Sequence, residues 1–343
     1  MSIAMAYVTV ILVWTTTPLG VTWSSETVNP TLAVLARMAI AAALGWFILR
    51  AMGRKVCWSK AAIQKYLYAD IGIVGAMYVT YQAAGLIPSG LISVIFGLSP
   101  MISAVLAQRI LKEDALPLYR WIAFVIALFG LVTIFGVDLF EYSAGHVDEI
   151  KGIGLLLIAV ILFSLSGVLI KTSKHQNRHF DQAVGSLILS VPIFLIVLGI
   201  EQLSMLLAGE SQTVGNLIVA SVETASIKSQ LSILYLAVMG SLVGFVCYFY
   251  ILAALTPSTV ALTTLVTPVL ALGLGVVINN EAVARDTWIG AGIILFALVL
   301  FNWGDRLANL IHVLLPDVVR YKVSRCAFNR RSDKDRSTVD AEC

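Results

Sequence analysis

Residues 81–113 read YQAAGLIPSGLISVIFGLSPMISAVLAQRILKE, and residues 250–281 read YILAALTPSTVALTTLVTPVLALGLGVVINNE. Each stretch holds the end of one apolar helix, a Pro turn and the whole of the next helix. Tyr81, Ala84, Pro88 and Ser89 match Tyr250, Ala253, Pro257 and Ser258 at an offset of 169 residues. Pro100, Leu106, Ile110 and Glu113 then match Pro268, Leu274, Ile278 and Glu281 at an offset of 168. A chain that repeats itself at half its length is expected to fold as two similar halves.

Outward from these stretches the chain stays apolar. Of its 343 residues, 59% are hydrophobic and 13% charged, and the mean hydropathy is +0.91. A soluble domain carries about 25% charged residues, so this composition belongs in a lipid bilayer. The net charge of +3 does not point to nucleic acid, because the basic residues sit in loops between apolar spans. Cys57, Cys247, Cys326 and Cys343 fall in a loop, a span and the tail. They show neither metal-ligand spacing nor a disulfide framework. The first apolar stretch lacks a basic leader and a clear cleavage site, and reads as a retained span.

A span needs about 20 mostly apolar residues. That rule gives ten: 3–24, 30–49, 68–86, 89–111, 121–137, 152–170, 182–200 with an extension toward Leu207, 231–255, 258–278 and 287–303. Two uncharged runs, 71–108 and 229–280, are too long for one span. They break at Pro88-Ser89-Gly90 and at Thr256-Pro257-Ser258.

The loops set the orientation. Nineteen of the 23 Lys and Arg residues fall on one side, Lys151, Lys228 and Arg285 on the other, and Arg37 inside the second span. The positive-inside rule then puts both termini in the cytoplasm. The opposite loops are acidic, with Glu26, Asp138, Glu141, Asp148, Glu149, Glu201, Glu210 and Glu223. Trp23, Trp46, Trp121, Trp288 and Trp303 lie near span ends, as an aromatic belt requires. Five spans per half is an odd number, so 3–137 and 152–303 enter the membrane in opposite senses. Inverted repeats place a binding site near the midplane, between the halves. Two segments lie outside the repeat: a mostly polar outer loop over 201–230, and the tail from Gly304. The tail begins amphipathically with Leu307, Leu310, Ile311, Leu314 and Leu315, which suits the inner membrane surface. From Asn329 on it reads as charged and disordered.

Few side chains can carry chemistry. Arg37 is a charge inside a span, which marks a functional candidate; the competing reading is a side chain that snorkels to the outer interface. Asp70 reads as the cytoplasmic end of span three, and Glu113 and Glu281 as interfacial, near Arg109 and Arg285. No carboxylate reads as midplane, and His146, His175, His179 and His312 fall in loops or the tail. Proton coupling would therefore need a peripheral group such as Asp70, and uniport or exchange fits as well. Pro18, Pro100, Pro192 and Pro268 lie inside spans, where each frees a carbonyl that can line a cavity or simply bends the helix. Thr15, Thr16, Thr17, Ser99 and Thr267 put hydroxyls beside these bends. Gln82 and Gln108 add amides, and Trp14, Tyr78, Tyr81, Tyr248 and Tyr250 could wall an organic ligand or serve as ordinary packing. Ser89, Ser93 and Gly97, with Gly240 and Gly244, read as close-packing ladders. No enzyme, metal, cofactor or nucleotide motif is present.

On the doubled Tyr-x-x-Ala…Pro…Pro…Glu pattern, the Arg37 context and ten spans in two inverted halves, the chain resembles the drug/metabolite transporter superfamily, EamA-like branch. The resemblance covers about residues 3–303. It implies an inner-membrane carrier of small metabolites, amino acids or related compounds, acting mainly in export. It also implies a central cavity that on this chain would use Trp14, Thr17, Tyr78, Gln82, Ser99, Ser164, Ser166, Tyr248, Thr263 and Thr267. The second half departs from the first in lacking an Arg in span seven. The expected partners are a small-molecule substrate and the bilayer, with a homodimer through small-residue faces left open. Two rival readings are a membrane-embedded enzyme on a lipid carrier, which would need convergent acids or His at a span end, and a non-transporting scaffold, which the Pro-broken spans disfavour.

Overall fold

The apolar runs fold as helices throughout the described part of a computed structural model, which covers residues 2–135, 144–173, 178–208, 219, 221, 223–254, 263–281 and 283–314. No strand occurs among these residues. Short polar residues in the loops set where helices begin. Ser2 Oγ accepts from the Met5 N–H at 3.2 Å, and Asn29 Oδ1 from Thr31 and Leu32 at 2.9 and 3.2 Å. Ser59 and Ser226 cap Ala62 and Ser229 in the same way. Each cap satisfies an amide that the first helical turn leaves unpaired.

The helices are α1 (Ile3–Ser24), α2 (Pro30–Ala51), α3 (Lys60–Asp70), α4 (Met77–Ala83), α5 (Ser89–Phe96), α6 (Ser99–Ile110), α7 (Leu118–Phe135), α8 (Ala144–Thr172), α9 (His179–Leu207), α10 (Ile227–Tyr235), α11 (Gly244–Ala254), α12 (Thr263–Asn279) and α13 (Arg285–Leu314). A π-helical segment, Ile71–Ala76, joins α3 to α4, and another, Leu236–Val243, joins α10 to α11. The two π segments lie before Tyr81 and Tyr250 and overlap in the repeated pattern, the offset of 169 carrying 71–76 onto 240–245, which no sequence rule anticipated.

Among the described residues, seven helical stretches are long and apolar enough to cross a membrane: Ile3–Ser24, Pro30–Ala51, Ser89–Ile110, Val147–Thr172, His179–Leu207, Ile227–Ala254 and Arg285–Gly304. Leu118–Ile134 and Val266–Asn279 are apolar but shorter. The protein is an all-α integral membrane protein. Large apolar side chains such as Val125, Phe129, Ile196 and Phe296 are exposed on its outside, where lipid replaces water as the solvent. Small residues and branched aliphatics fill the inside.

Several expectations from the sequence are corrected. The third span starts at Lys60 rather than Tyr68, so Asp70 lies in mid-helix, buried, with neither carboxylate oxygen hydrogen-bonded. Span four is broken at Gly97–Leu98, and Pro100 stands in the first turn of α6 instead of inside a helix. Its missing N–H is one the helix start leaves unpaired anyway. Glu201 belongs to α9, not to an outer loop. Residues 304–314 continue α13 instead of forming a separate surface segment. Pro257, Ser258 and the tail from Leu315 lie outside the described residues.

Most of the packing between elements has a counterpart when residues 3–137 and 152–303 are exchanged, although α1 packs on α5 without comparable packing of α8 on α12. α1 packs on α10, α11 and their π segment, and α8 on α3, α4 and theirs. α1 also packs on α12, as α8 does on α5 and α6. α2 meets the Leu236–Val243 segment, and α9 meets α3 and the Ile71–Ala76 segment. Between the halves, α2 also pairs with α9, α5 with α12 and α7 with α13.

Candidate functional site

Two Thr-Pro steps shape the middle of the molecule. Pro18 in α1 and Pro268 in α12 each lack the N–H that would close the preceding turn. The Thr before each donates its hydroxyl to the carbonyl four residues back: Thr17 Oγ1 to Val13 O at 2.6 Å and Thr267 Oγ1 to Thr263 O at 2.9 Å. Both helices stay intact, and both threonines face a cavity.

Two cavities meet at this level. The smaller, of about 90 Å³, is bounded by Thr17, Pro18, Arg37, Thr80, Ser93, Gly97, Gly240, Phe245 and Thr267. The larger, of about 270 Å³, is bounded by Pro100, Gly167, Tyr248 and Thr263, and by Glu113, Arg120, Lys171 and Asn302 at one end. Trp14, Ser99 and Phe163 belong to both walls. The shared wall is an aromatic layer. Trp14 and Phe163 lie 6.0 Å apart between ring centroids, Trp14 and Tyr248 5.2 Å, Phe163 and Tyr248 5.8 Å, and Phe96 and Phe163 5.8 Å. Edge and tilted contacts of this kind hold rings in place. The larger cavity runs on through Ala104, Glu113 and Arg120 into the hollow beside Lys112 and Pro117, at the end that carries the basic loops.

The opposite end is stitched by a polar seam. Trp23 Nε1 donates to Asn279 Oδ1 at 2.7 Å, and Asn279 Nδ2 to Glu281 Oε1 at 2.8 Å. Lys228 pairs with Glu26 at 2.7 Å and lies 4.7 Å over the Trp23 ring. Ser229 Oγ donates to Trp23 O at 2.7 Å. Glu281 thus serves Asn279 instead of Arg285, and Trp23, near the end of α1, takes part in the seam.

Of the ten residues that the sequence nominated, Trp14, Thr17, Ser99, Tyr248, Thr263 and Thr267 stand in the cavity walls. The other four are placed elsewhere. Ser164 Oγ donates to Ser99 O at 3.1 Å and Ser166 Oγ to Ala69 O at 3.2 Å, which ties α8 to α6 and α3. Tyr78 and Gln82 gather on Glu201. Tyr78 Oη donates to Glu201 Oε1 at 2.6 Å, Thr31 Oγ1 at 3.0 Å and Gln82 Nε2 at 3.3 Å, while Gln82 also donates to Thr31 Oγ1 at 3.0 Å. This node joins α2, α4 and α9, and it places a carboxylate where the sequence reading saw none. Hydrogen bonds to a charged group contribute about 1.5–3 kcal/mol. Glu201→Ala is therefore expected to lower the thermal unfolding midpoint clearly, and Glu201→Gln to recover part of the loss.

Pro192 is exposed on α9, away from both cavities. The small residues read as a packing ladder do pack closely at Gly97, Gly240 and Gly244, and Ser93, Gly97 and Gly240 also bound the smaller cavity. Sequence reasoning also missed Thr80, Phe96, Phe163 and Phe245. Ser93, Phe96, Gly97 and Pro100 follow i, i+3, i+4, i+7 spacing, a one-face signal that was available.

Arg37 does not snorkel. It is 1% exposed, and its Nε donates to Ser241 Oγ at 2.8 Å across to the second half. Its Nη1 has no hydrogen-bond partner. None of the ion pairs among the described residues involves it.

Comparison with known proteins agrees with this architecture. Residues 150–303 match the EamA-like transporter family. The "Uncharacterized inner membrane transporter YedA" of Escherichia coli (strain K12) is 26% identical over 246 residues, 71% of either chain. The "Uncharacterized transporter YoaV" of Bacillus subtilis (strain 168) is 24% identical over 298 residues, 84% of this chain and 92% of that one. A solved crystal structure at 17% identity superposes with a TM-score of 0.57, over 87% of this chain and 96% of the other, and shares the fold.

Proposed function

We propose, for a chain that belongs to the drug/metabolite transporter superfamily through its EamA-like domain, that this protein is a secondary transporter working by alternating access. It is a multi-pass protein of the bacterial inner membrane. In this reading it has ten spans in two inverted five-helix repeats, with both termini in the cytoplasm. It moves a small organic metabolite, an amino acid or related compound, in the direction of export. The observation that carries the reading is the pair of cavities meeting at the aromatic layer between the halves, with one end reachable and the other stitched shut. The exchange symmetry of the packing supports the repeats, since two halves that swap conformations need matching interfaces. Lys112, Arg120 and Lys171 at the reachable end, read with the positive-inside rule, support taking this as the inward-facing state.

Proteoliposome counterflow tests the reading, with substrates found by thermal shift among amino acids, amines and aromatic metabolites. A ligand bound by the native state alone raises its stability as concentration exceeds Kd. Saturable exchange of a stabilising compound is the expected result. Tyr248→Leu keeps bulk but removes a ring interaction worth about 1 kcal/mol, so exchange should fall about five- to tenfold. A compound that binds and is chemically converted without crossing the bilayer would establish the rival enzyme reading instead.

A further inference from the structure

We infer that the transported species is an organic carboxylate, whose negative group seats on Arg37 while its apolar body lies against the aromatic layer. This rests on the transporter reading above for the word transported, but not for the binding site.

The argument starts from an unmatched charge. A guanidinium in an apolar interior is costly unless it is paired and hydrogen-bonded. Arg37 is 1% exposed and spends one donor on Ser241, while Nη1 is left over. Glu201 is engaged by Tyr78, Gln82 and Thr31, and Asp70 makes no hydrogen bond at all. A tie to Ser241 alone needs no charge, since a neutral amide could make it. The charge is left for something that enters the cavity.

The cavity wall specifies what that is. Thr17, Thr80 and Thr267 donate their hydroxyl hydrogens to the backbone at Val13, Ala76 and Thr263. These three face the cavity as acceptors only, and the other donors on its wall, the Ser93 and Ser99 hydroxyls and the Trp14 indole, are neutral, so Arg37 is the one cation among the described residues that lines it. One cation with one spare edge suits a singly charged carboxylate, and a doubly charged phosphate would lack a second cation. No described carboxylate lines the smaller cavity to hold an ammonium. Most of the remaining wall is apolar, with rings from Trp14, Phe96, Phe163 and Phe245 beside Val21, Met77 and Ile92, which favours an apolar or aromatic body. Gly240 is part of the site. A Cβ there would lie 2.9 Å from Arg37 Nη2, so only glycine lets the guanidinium rest on the π segment.

The test uses purified full-length protein and three probes of one shape: 3-phenylpropionate, 3-phenylpropanamide and 3-phenylpropylamine. Binding is read by thermal shift and by titration calorimetry. The acid is expected to bind at least tenfold more tightly than the amide or the amine. Arg37→Gln should remove that preference, and Arg37→Lys should keep part of it, because charge survives and the two-pronged geometry does not. Gly240→Ala, which keeps Arg37 but displaces it, should weaken the acid and leave the amide unchanged. Without ligand, Arg37→Gln should unfold no earlier than the wild type. Equal binding of the three probes, or acid binding that survives Arg37→Gln, would overturn the proposal. Arg37-dependent binding of the acid without flux in proteoliposomes would leave this site standing and defeat the transport reading. Flux of amines independent of Arg37 would do the reverse.

Discussion

Asn279→Ala will expose the cavity to the side of the membrane opposite the basic loops. Asn279 is the middle of the seam, accepting from Trp23 Nε1 and donating to Glu281 Oε1. Trp23 lies on α1 and Asn279 on α12, so the Trp23–Asn279 bond should break when that end opens, while Glu281, two residues on, moves with Asn279 and holds its amide in place. Truncation therefore removes one neutral hydrogen bond across the seam, about 1 kcal/mol net. An interaction made in only one of two states biases their equilibrium by its full value, here about fivefold. Glu26→Gln makes the contrast. The Lys228–Glu26 pair is 44% and 37% exposed, and pairs so exposed contribute under about 1 kcal/mol. Its removal should shift access by about twofold at most. The measurement is labelling of Thr17→Cys, in a background lacking the four native cysteines, by a membrane-impermeant maleimide added from outside. Asn279→Ala should raise the rate about fivefold. An unchanged rate with a lowered unfolding midpoint would make the seam a structural clamp and remove it from the transport cycle.

How much of this was legible beforehand depends on the range of the interaction. The apolar runs and the Thr-Pro steps are local, and each appears in the fold near its sequence position; of the doubled Pro pattern, Pro257 lies outside the described residues, and Pro100 opens α6 where Pro268 stands inside α12. Thr17 and Thr267 could be nominated because Pro acts on its own helix. Arg37 could be nominated but not aimed, since its direction is set by Ser241, 204 residues away. Glu201 was missed because a Glu after an apolar run looks like a loop. Its partners Tyr78, Gln82 and Thr31 lie 119 to 170 residues away. Phe163 and Phe245 sit in runs that are mostly apolar, so little periodicity separates a cavity wall from a lipid face. Ser164 and Ser166 fell the other way: buried hydroxyls bond whatever carbonyl is nearest, and here that is the backbone of α6 and α3. The π segments follow from no residue type. They place Gly240 and Ser241 against Arg37, which is a property of the assembled halves.

Gly290→Leu should be the most damaging single substitution outside the cavities. α7 and α13 pack backbone to backbone where Gly130 faces Gly290. A Cβ at Gly290 would lie 2.4 Å from Ile134 Cγ1, 2.6 Å from Gly130 O and 3.1 Å from Ile134 N. A flexible side chain could give way, but two of these three atoms are backbone. The helices would have to separate along their shared face, and overpacking of this kind costs about 1–3 kcal/mol or more. In lipid no hydrophobic force pushes the helices back together, so burial does not restore the close packing. Gly292→Leu supplies the control on the same helix. Nothing lies within 4 Å of a Cβ at that position, so the new side chain meets lipid. Thermal unfolding in one detergent should place Gly290→Leu many degrees below the wild type and Gly292→Leu within about two degrees of it. Equal midpoints for the two variants would show that α7 and α13 do not meet through these glycines. Arg120, Phe301 and Asn302 on the same two helices bound the larger cavity. Any Gly290→Leu protein that does fold should therefore also bind ligand more weakly, because the wall they form has been pushed apart.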